Sequence, residues 1–130
     1  MNKKHILIVE DEVTLLKLET ILLKVKGYDV TGAVSGKDAL EKLSRENIDL
    51  VLLDIMLPDI DGFEVCTRIR KEVRTAAIPV IMLTARKSPG DLERGVASGA
   101  DAYITKPFKS ARIIEQIERL LNDGGASTQS

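Results

Sequence analysis

Five short apolar runs, separated by segments of helical periodicity, restrict the fold of this chain more than any other feature. Each run has the length of one β-strand, and three are continuous, as is typical of strands buried on both faces of a parallel sheet. The runs occupy residues 5–9, 29–34, 48–53, 79–83 and 102–105. They predict a parallel sheet of five strands.

The segments between these runs predict helices. The first segment stops at Gly27, a residue typical of helix C-termini, and the second follows Ser35, a typical N-cap. We predict helices at residues 13–26, 36–46, 62–73, 89–98 and 109–122. Right-handed crossovers between the strands would place helices on both faces of the sheet. The prediction is one doubly wound (βα)5 domain of the α/β class over residues 1–122, with sheet order 2-1-3-4-5.

Length and charge agree with a single domain. The chain has 130 residues, and its 19 basic and 20 acidic side chains give no overall field that attracts nucleic acid or an anionic membrane. No apolar stretch has the length of a signal peptide or a membrane span, so a cytoplasmic protein is expected.

Cys66 shares a helical face with Phe63 and Ile69 and is predicted to be buried. Residues 123–130 are predicted to form a disordered tail or the start of a linker.

Polar side chains gather where the predicted strands end, which is where ligands bind in sheets of this class. Glu10 and Asp11 follow the first strand, and Asp54 is the first residue after the third. Thr84 ends the fourth strand, and the fifth runs into Lys106. Sheet order 2-1-3-4-5 would bring these residues together. Three converging carboxylates repel one another unless a cation joins them, and a site of oxygen ligands suits Mg²⁺.

The formal charges of such a site indicate a role. Mg²⁺ and Lys106 together would neutralise the three carboxylates. A phosphoryl group on Asp54 would add about one negative charge beside the hydroxyl of Thr84. Such a site can accept a phosphoryl group and also respond to its arrival.

Four motifs occur in a fixed order along the chain. They read ILIVEDE, DLVLLDIMLPDIDGFEV, PVIMLTA and GADAYITKPF. Together they resemble the receiver domain of two-component response regulators over residues 4–121. The resemblance implies that Asp54 is the phosphoacceptor and that Asp11, Asp54 and the backbone carbonyl of Met56 bind Mg²⁺. Glu10 then completes the acidic pair and acts on the metal mainly through water.

The resemblance also implies a switch. Thr84 is the hydroxyl that moves toward the phosphoryl group, Lys106 pairs with that group, and the orientation of Tyr103 follows. The family has a cis peptide before the proline after this lysine, here Lys106–Pro107, and an X–Pro bond makes the cis form accessible.

Several residues near these motifs are expected to have other roles. The resemblance implies that the side chains of Met56 and Arg86 flank the approach of the hydrolytic water and tune the lifetime of the phosphate. Asp59 and Asp61 are predicted to form the turn in PDIDG and not to bind metal. His5 lies at the opposite end of its strand and is expected to have no role at the site.

Two other functions fit the sequence less well. A phosphatase with a nucleophilic aspartate needs a second acid two residues after the nucleophile, and Met56 stands there. A phosphate-binding loop for nucleotides needs glycine in the first turn, and VEDEVT has none. We therefore expect a signalling switch and not an enzyme.

The resemblance implies partners as well. A histidine kinase or a phosphotransfer protein supplies the phosphoryl group, and the surface of the fourth helix, fifth strand and fifth helix changes for an output partner. That partner is either a downstream protein or a C-terminal effector domain missing from this chain. The chain itself is not expected to bind nucleic acid or a membrane, and a phosphorylation-dependent dimer stays open.

Overall fold

The described part of the chain alternates strands and helices. The structure is a computed structural model that describes residues 3–85, 89–107 and 109–126. Its strands are β1 (His5–Val9), β2 (Asp29–Ala33), β3 (Leu50–Asp54), β4 (Val80–Thr84) and β5 (Ala102–Thr105). Its helices are α1 (Val13–Val25), α2 (Gly36–Arg45), α3 (Gly62–Lys71), α4 (Pro89–Ser98) and α5 (Ser110–Ala126). Within these residues, no helix combines the length and the apolar character that a membrane crossing requires.

The strands form a parallel sheet in the predicted order, β2-β1-β3-β4-β5. β3 lies at the centre, and every residue of β3 and of β4 is buried. A strand covered by helices on both faces needs apolar side chains on both of its sides, which explains the continuous apolar runs. The predicted doubly wound α/β fold is confirmed.

Alternate residues of the strands pack against helices on opposite faces of the sheet. Leu7 and Val9 of β1 belong to a core cluster with residues of α2 and α3. Ile6 and Ile8 belong to a second cluster with Leu23 of α1 and residues of α5. We call these two sides the α2/α3 face and the α1/α5 face.

Two predictions about single residues are confirmed. Gly27 follows α1 with a φ of 96°, a conformation that side chains disfavour. Cys66 is buried together with Phe63 and Ile69 in the cluster of the α2/α3 face.

Side chains near the carboxyl edge of the sheet fix the helix starts. Ser35 and Asp61 accept hydrogen bonds from backbone N–H groups in the first turns of α2 and α3, at 3.1 and 2.9 Å. Asp59 accepts from the backbone N–H groups of Gly36 and Lys37 at 2.8 and 2.9 Å. These bonds, chiefly the one from Lys37, lower the pKa of Asp59 to about 2. Asp59 and Asp61 thus order the loop, as the turn prediction requires.

Several element boundaries differ from the sequence prediction, and two of the differences concern the site and the C-terminal segment. Asp54 is the last residue of β3 and not the first residue after it, because its backbone continues the ladder opposite Leu83. α5 continues to Ala126, so residues 123–126, which the sequence assigns to a disordered tail, are helical. Extending an existing helix is easier than starting one, since each added residue gains a backbone hydrogen bond. Residues 127–130 lie outside the described residues.

Candidate functional site

Three carboxyl groups meet at the carboxyl edge of the sheet, where β1 and β3 end. Glu10, Asp11 and Asp54 each offer one oxygen, and these oxygens all lie within 4.8 Å of one another. Val9 pairs with Leu53 across the two parallel strands, so the residues that follow emerge side by side. Glu10 and Asp54 are buried, whereas Asp11 is exposed. The structure therefore brings the predicted carboxyl groups together.

The loop after β3 holds the Asp54 carboxylate in place. Its Oδ1 accepts a hydrogen bond from the backbone N–H of Met56 at 3.2 Å, and Lys106 Nζ lies 3.8 Å from its Oδ2. The loop returns to the end of β3 through the N–H of Gly62, which donates to the Ile55 carbonyl at 2.8 Å. A Cβ at Gly62 would lie 2.6 Å from the Asp54 carbonyl oxygen, so this close return requires glycine.

Burial raises the pKa of both Asp54 and Glu10. A backbone N–H from the loop and the charge of Lys106 oppose this effect at Asp54, and the charge of Asp11 adds to it. At Glu10, a hydrogen bond from the Glu12 N–H at 3.0 Å opposes the effect, and the charge of Asp54 adds to it. Ionised together, these carboxyl groups repel one another, and either a proton or a cation relieves that repulsion.

The donor set of this cluster fits a magnesium ion. All of its ligands are oxygen atoms, which Mg²⁺ prefers, and the exposed Asp11 is open to a cation that keeps part of its water shell. Burial is the main cause of the raised pKa of the two buried carboxyl groups, and a divalent cation between them would stabilise their ionised forms.

β4 and β5 bring the remaining predicted residues to the same edge. Thr84 is fully buried and comes directly after Leu83, which pairs with Asp54. Lys106 follows β5, and its backbone N–H donates to the Thr84 carbonyl at 2.7 Å. The Lys106–Pro107 peptide is cis, as the resemblance implies.

Tyr103 lies on the same face of the sheet as Thr84. It pairs with Met82, which is two residues before Thr84 on β4, and it packs on the cluster of the α2/α3 face. Its ring is half-buried and lies against α4, where a Cβ on Gly95 would come within 2.8 Å of Cδ2. Tyr103 thus contacts the helix that the predicted switch would move.

The sequence also singles out Met56, His5 and Arg86. Met56 is 61% exposed in the loop after β3, and its effect on the lifetime of the phosphate stays a prediction. His5 lies at the amino end of β1, where its Nε2 is 2.6 Å from Thr31 Oγ1. Arg86 lies outside the described residues.

Residues 6–118 match the model of a protein family described as the response regulator receiver domain. The chain belongs to this family. It is a receiver domain of the two-component type, and its acidic cluster fits the magnesium site of such domains. The resemblance that the four motifs carry is therefore confirmed.

Known receiver domains and regulators are similar to this one over most of its length. The DNA-binding dual master transcriptional regulator RpaA of Synechocystis is 44% identical over 117 residues, which cover 90% of this chain and 48% of the relative. The chain thus spans about half the length of the curated relatives it matches.

Two crystal structures are close to it in fold. A CheY-like receiver domain protein from Methanospirillum hungatei gives a TM-score of 0.91 at 32% identity and covers 97% of this chain and 99% of its own. The receiver domain of a sensor histidine kinase from Pseudomonas aeruginosa gives 0.86 at 31% identity, covering 93% and 99%, with a magnesium ion coordinated in its active site cleft.

The structure of this receiver domain also contains a buried carboxyl group that sequence reasoning missed. Glu19 lies on the side of α1 that faces the sheet, between Leu16 and Leu23, and is 6% exposed. Burial raises its pKa to about 7, and the charge of Glu10 contributes next. The spacing of Glu19 from Leu16 and Leu23, three and four residues, is the signal that places it on their helical face.

We expect Glu19→Leu to stabilise the metal-free protein at neutral and higher pH. The folded-state pKa of about 7 lies above the ordinary value of 4.5, so the protonated group stabilises the fold below about pH 4.5, and this contribution is lost as pH rises through about 7. The difference amounts to roughly 3 kcal/mol, and leucine avoids the cost of ionising a buried group. Urea unfolding in EDTA should show the variant roughly 2–3 kcal/mol more stable than wild type at about pH 8.

The same comparison at about pH 5 should show a smaller difference, because Glu19 is then protonated. Glu12→Leu serves as the control, since Glu12 is an exposed carboxylate of the same segment. An advantage of Glu19→Leu that does not change between the two pH values would contradict the raised pKa.

Proposed function

We propose that Asp54 of this receiver domain accepts a phosphoryl group from a phosphohistidine on a histidine kinase or a phosphotransfer protein. The position of the Asp54 carboxylate carries the proposal. It is buried at the end of the central strand, clusters with Glu10 and Asp11, and lies 3.8 Å from Lys106 Nζ. Carboxylates are established nucleophiles for phosphoryl groups.

Mg²⁺ is the cofactor in this proposal. Asp11, Asp54 and the Met56 backbone carbonyl would bind it, with Glu10 acting through water. When bound, the ion supplies positive charge to the phosphoryl oxygens and orients them. The magnesium ion in the similar receiver domain from Pseudomonas aeruginosa supports the same metal here.

The transfer needs no reactant other than Asp54 and the phosphohistidine of the donor. An oxygen of Asp54 bonds to phosphorus while the phosphorus–nitrogen bond of the donor histidine breaks, and the imidazole nitrogen keeps the electron pair. The product is an acyl phosphate with about two negative charges where the carboxylate had one. Lys106 offsets part of the added charge, and Thr84 donates a hydrogen bond to a phosphoryl oxygen.

The energy of this switch must come from more than one residue. A hydrogen bond to a charged group contributes roughly 1.5–3 kcal/mol, whereas moving a two-state equilibrium from about 1:99 to 99:1 takes about 5.5 kcal/mol. Thr84 alone is therefore too weak. Lys106 and the metal contribute as well, or the resting protein already samples the active state.

The output of the switch is a changed surface on α4, β5 and α5. Tyr103 would follow the movement because it lies on the same face of the sheet as Thr84 and against Gly95 of α4. The partner is a downstream cytoplasmic protein or an effector domain. Since RpaA is a DNA-binding transcriptional regulator twice as long, an effector domain of that class is the arrangement that the relatives support.

A small-molecule phosphodonor separates this function from that of a phosphatase. With Mg²⁺ and acetyl phosphate, the receiver should take up about one phosphoryl group per chain and should not hydrolyse aryl phosphates in sustained turnover. Steady release of phosphate from an aryl ester would favour the phosphatase and contradict the proposal.

We expect Thr84→Ala to uncouple phosphorylation from the switch. Asp54 and the acidic cluster remain, so the variant should still be labelled, while the loss of one charged hydrogen bond, roughly 1.5–3 kcal/mol, should reduce the active population about tenfold or more. Fluorine NMR with a label on α5 would report both states. Thr84→Ser keeps the hydroxyl and is the control, and an equal active population in all three proteins would remove Thr84 from the switch.

A further inference from the structure

Glu19 has a buried oxygen without a partner. Among the buried side-chain oxygen and nitrogen atoms of the described residues, Glu19 Oε2 alone has no hydrogen bond, and the residue is 6% exposed. Burying a carboxyl group without partners is costly, and native structures keep such groups rarely. The side chain therefore needs an explanation other than packing.

Glu19 and the side chain of Asp54 lie on the same side of the sheet, as the alternation of side chains along the strands shows. Ile8 and Leu52 point to the α1/α5 face, and Glu10 and Asp54 lie two residues further along the same strands. Ile104 points to this face as well, and Lys106 follows it by two residues. Glu19 projects from α1 toward this face.

The charges that act on Glu19 are those of the site. Glu10 and Asp54 repel its ionised form, and Lys106 attracts it. Lys106 itself is held loosely, because its Nζ is 3.8 Å from Asp54 Oδ2, longer than a hydrogen bond. Among the described residues, Asp54 is the only ion-pair partner of Lys106. Glu19, when ionised, is thus a second carboxylate on the face of the sheet to which Lys106 belongs.

We propose that Glu19 is a positioning residue for Lys106, giving its ammonium group a second anionic partner that competes with Asp54. This inference rests on the proposed function, since it concerns the lysine that meets the phosphoryl group. When Glu19 is ionised, the two carboxylates share the attraction of the ammonium before phosphorylation. After phosphorylation the larger charge on Asp54 draws Lys106 outward, and Glu19 opposes that movement.

Beryllofluoride, a stable mimic of the phosphoryl group, tests this role when its affinity is measured at saturating Mg²⁺ and about pH 8, where Glu19 is ionised. Glu19→Gln keeps the shape of the side chain and removes its charge. It should bind beryllofluoride about three- to tenfold more tightly than wild type, because neighbouring groups couple by this amount. Glu19→Asp keeps the charge and should bind as wild type does.

The decisive comparison repeats Glu19→Gln in a Lys106→Met background. If Glu19 acts through the lysine, the substitution should then change the affinity less than about twofold. The same gain in both backgrounds would show a direct effect of charge on the phosphoryl site and would overturn the positioning role. No gain in either background would also overturn it. A wild-type protein that does not bind beryllofluoride would contradict the proposed function itself, and this inference with it.

A second measurement covers the case in which Lys106→Met binds the mimic too weakly to titrate. The Cε resonance of Lys106, identified by its loss in Lys106→Met, should shift in Glu19→Gln and not in Glu19→Asp. The resonance of the distant Lys71 should stay unchanged in both variants. A Lys106 resonance that does not respond to Glu19→Gln would contradict the inference.

Discussion

Asp54→Asn should abolish phosphorylation of this receiver domain. The amide oxygen that remains is uncharged and a poor nucleophile, so no carboxylate is left at position 54 to form an acyl phosphate. The neighbouring carboxyl groups should not substitute for it, because Asp54 is the member of the cluster held by both the Met56 N–H and Lys106. Labelling with radioactive acetyl phosphate and Mg²⁺ should fall to background.

Asp61→Asn is the matched control for this substitution. Asp61 lies in the same loop, is an N-cap of α3 with exposed surface, and asparagine caps helices as well as aspartate does. This variant should be labelled like wild type. Equal labelling of Asp54→Asn and wild type would place the phosphoryl group on another residue.

The second large effect is expected on the affinity for Mg²⁺. Asp11→Ala should weaken Mg²⁺ binding at least about 100-fold, since loss of a group that only supports a ligand already costs 10–100-fold. Asp11 is the exposed member of the cluster and supplies one of its three carboxyl groups. Calorimetric titration with MgCl₂ measures the affinity directly.

Glu12→Ala provides the control for overall charge. It removes one negative charge from the adjacent position, but Glu12 does not belong to the three-carboxyl cluster. Its Mg²⁺ affinity should change less than about threefold. Equal losses in the two variants would mean that general electrostatic attraction, and not ligation by Asp11, accounts for the binding.

The fold was predictable because burial leaves a strong pattern in the sequence. β3 and β4 are buried along their whole length, so they appear as continuous apolar runs. The site was predictable for a related reason, since the ends of parallel strands meet at one edge and Asp54 and Thr84 both end strands there. The sequence prediction ends β3 one residue early because a charged side chain does not stop backbone pairing.

Glu19 was not predictable in the same way. α1 carries apolar residues on several sides, and Ile21 and Val25 are exposed while Glu19 and Leu23 are buried. Periodicity alone therefore offers more than one candidate face, and the spacing of Glu19 from Leu16 and Leu23 is informative only once the face that packs on the sheet is known. The sequence does not predict the hydrogen bonds of Asp59 either. The N–H groups that donate to its carboxylate belong to α2, more than twenty residues earlier in the chain.

Reductive mapping of the phosphorylated protein tests the central claim most directly. Borohydride reduces an acyl phosphate to an alcohol and so converts a phosphorylated aspartate to homoserine. Peptide mass spectrometry after treatment with acetyl phosphate, Mg²⁺ and borohydride should find homoserine at position 54 and leave Asp11, Asp59 and Asp61 unchanged. Homoserine at one of those three positions, or phosphate that resists borohydride on another side chain, would contradict the assignment of Asp54 as the phosphoacceptor.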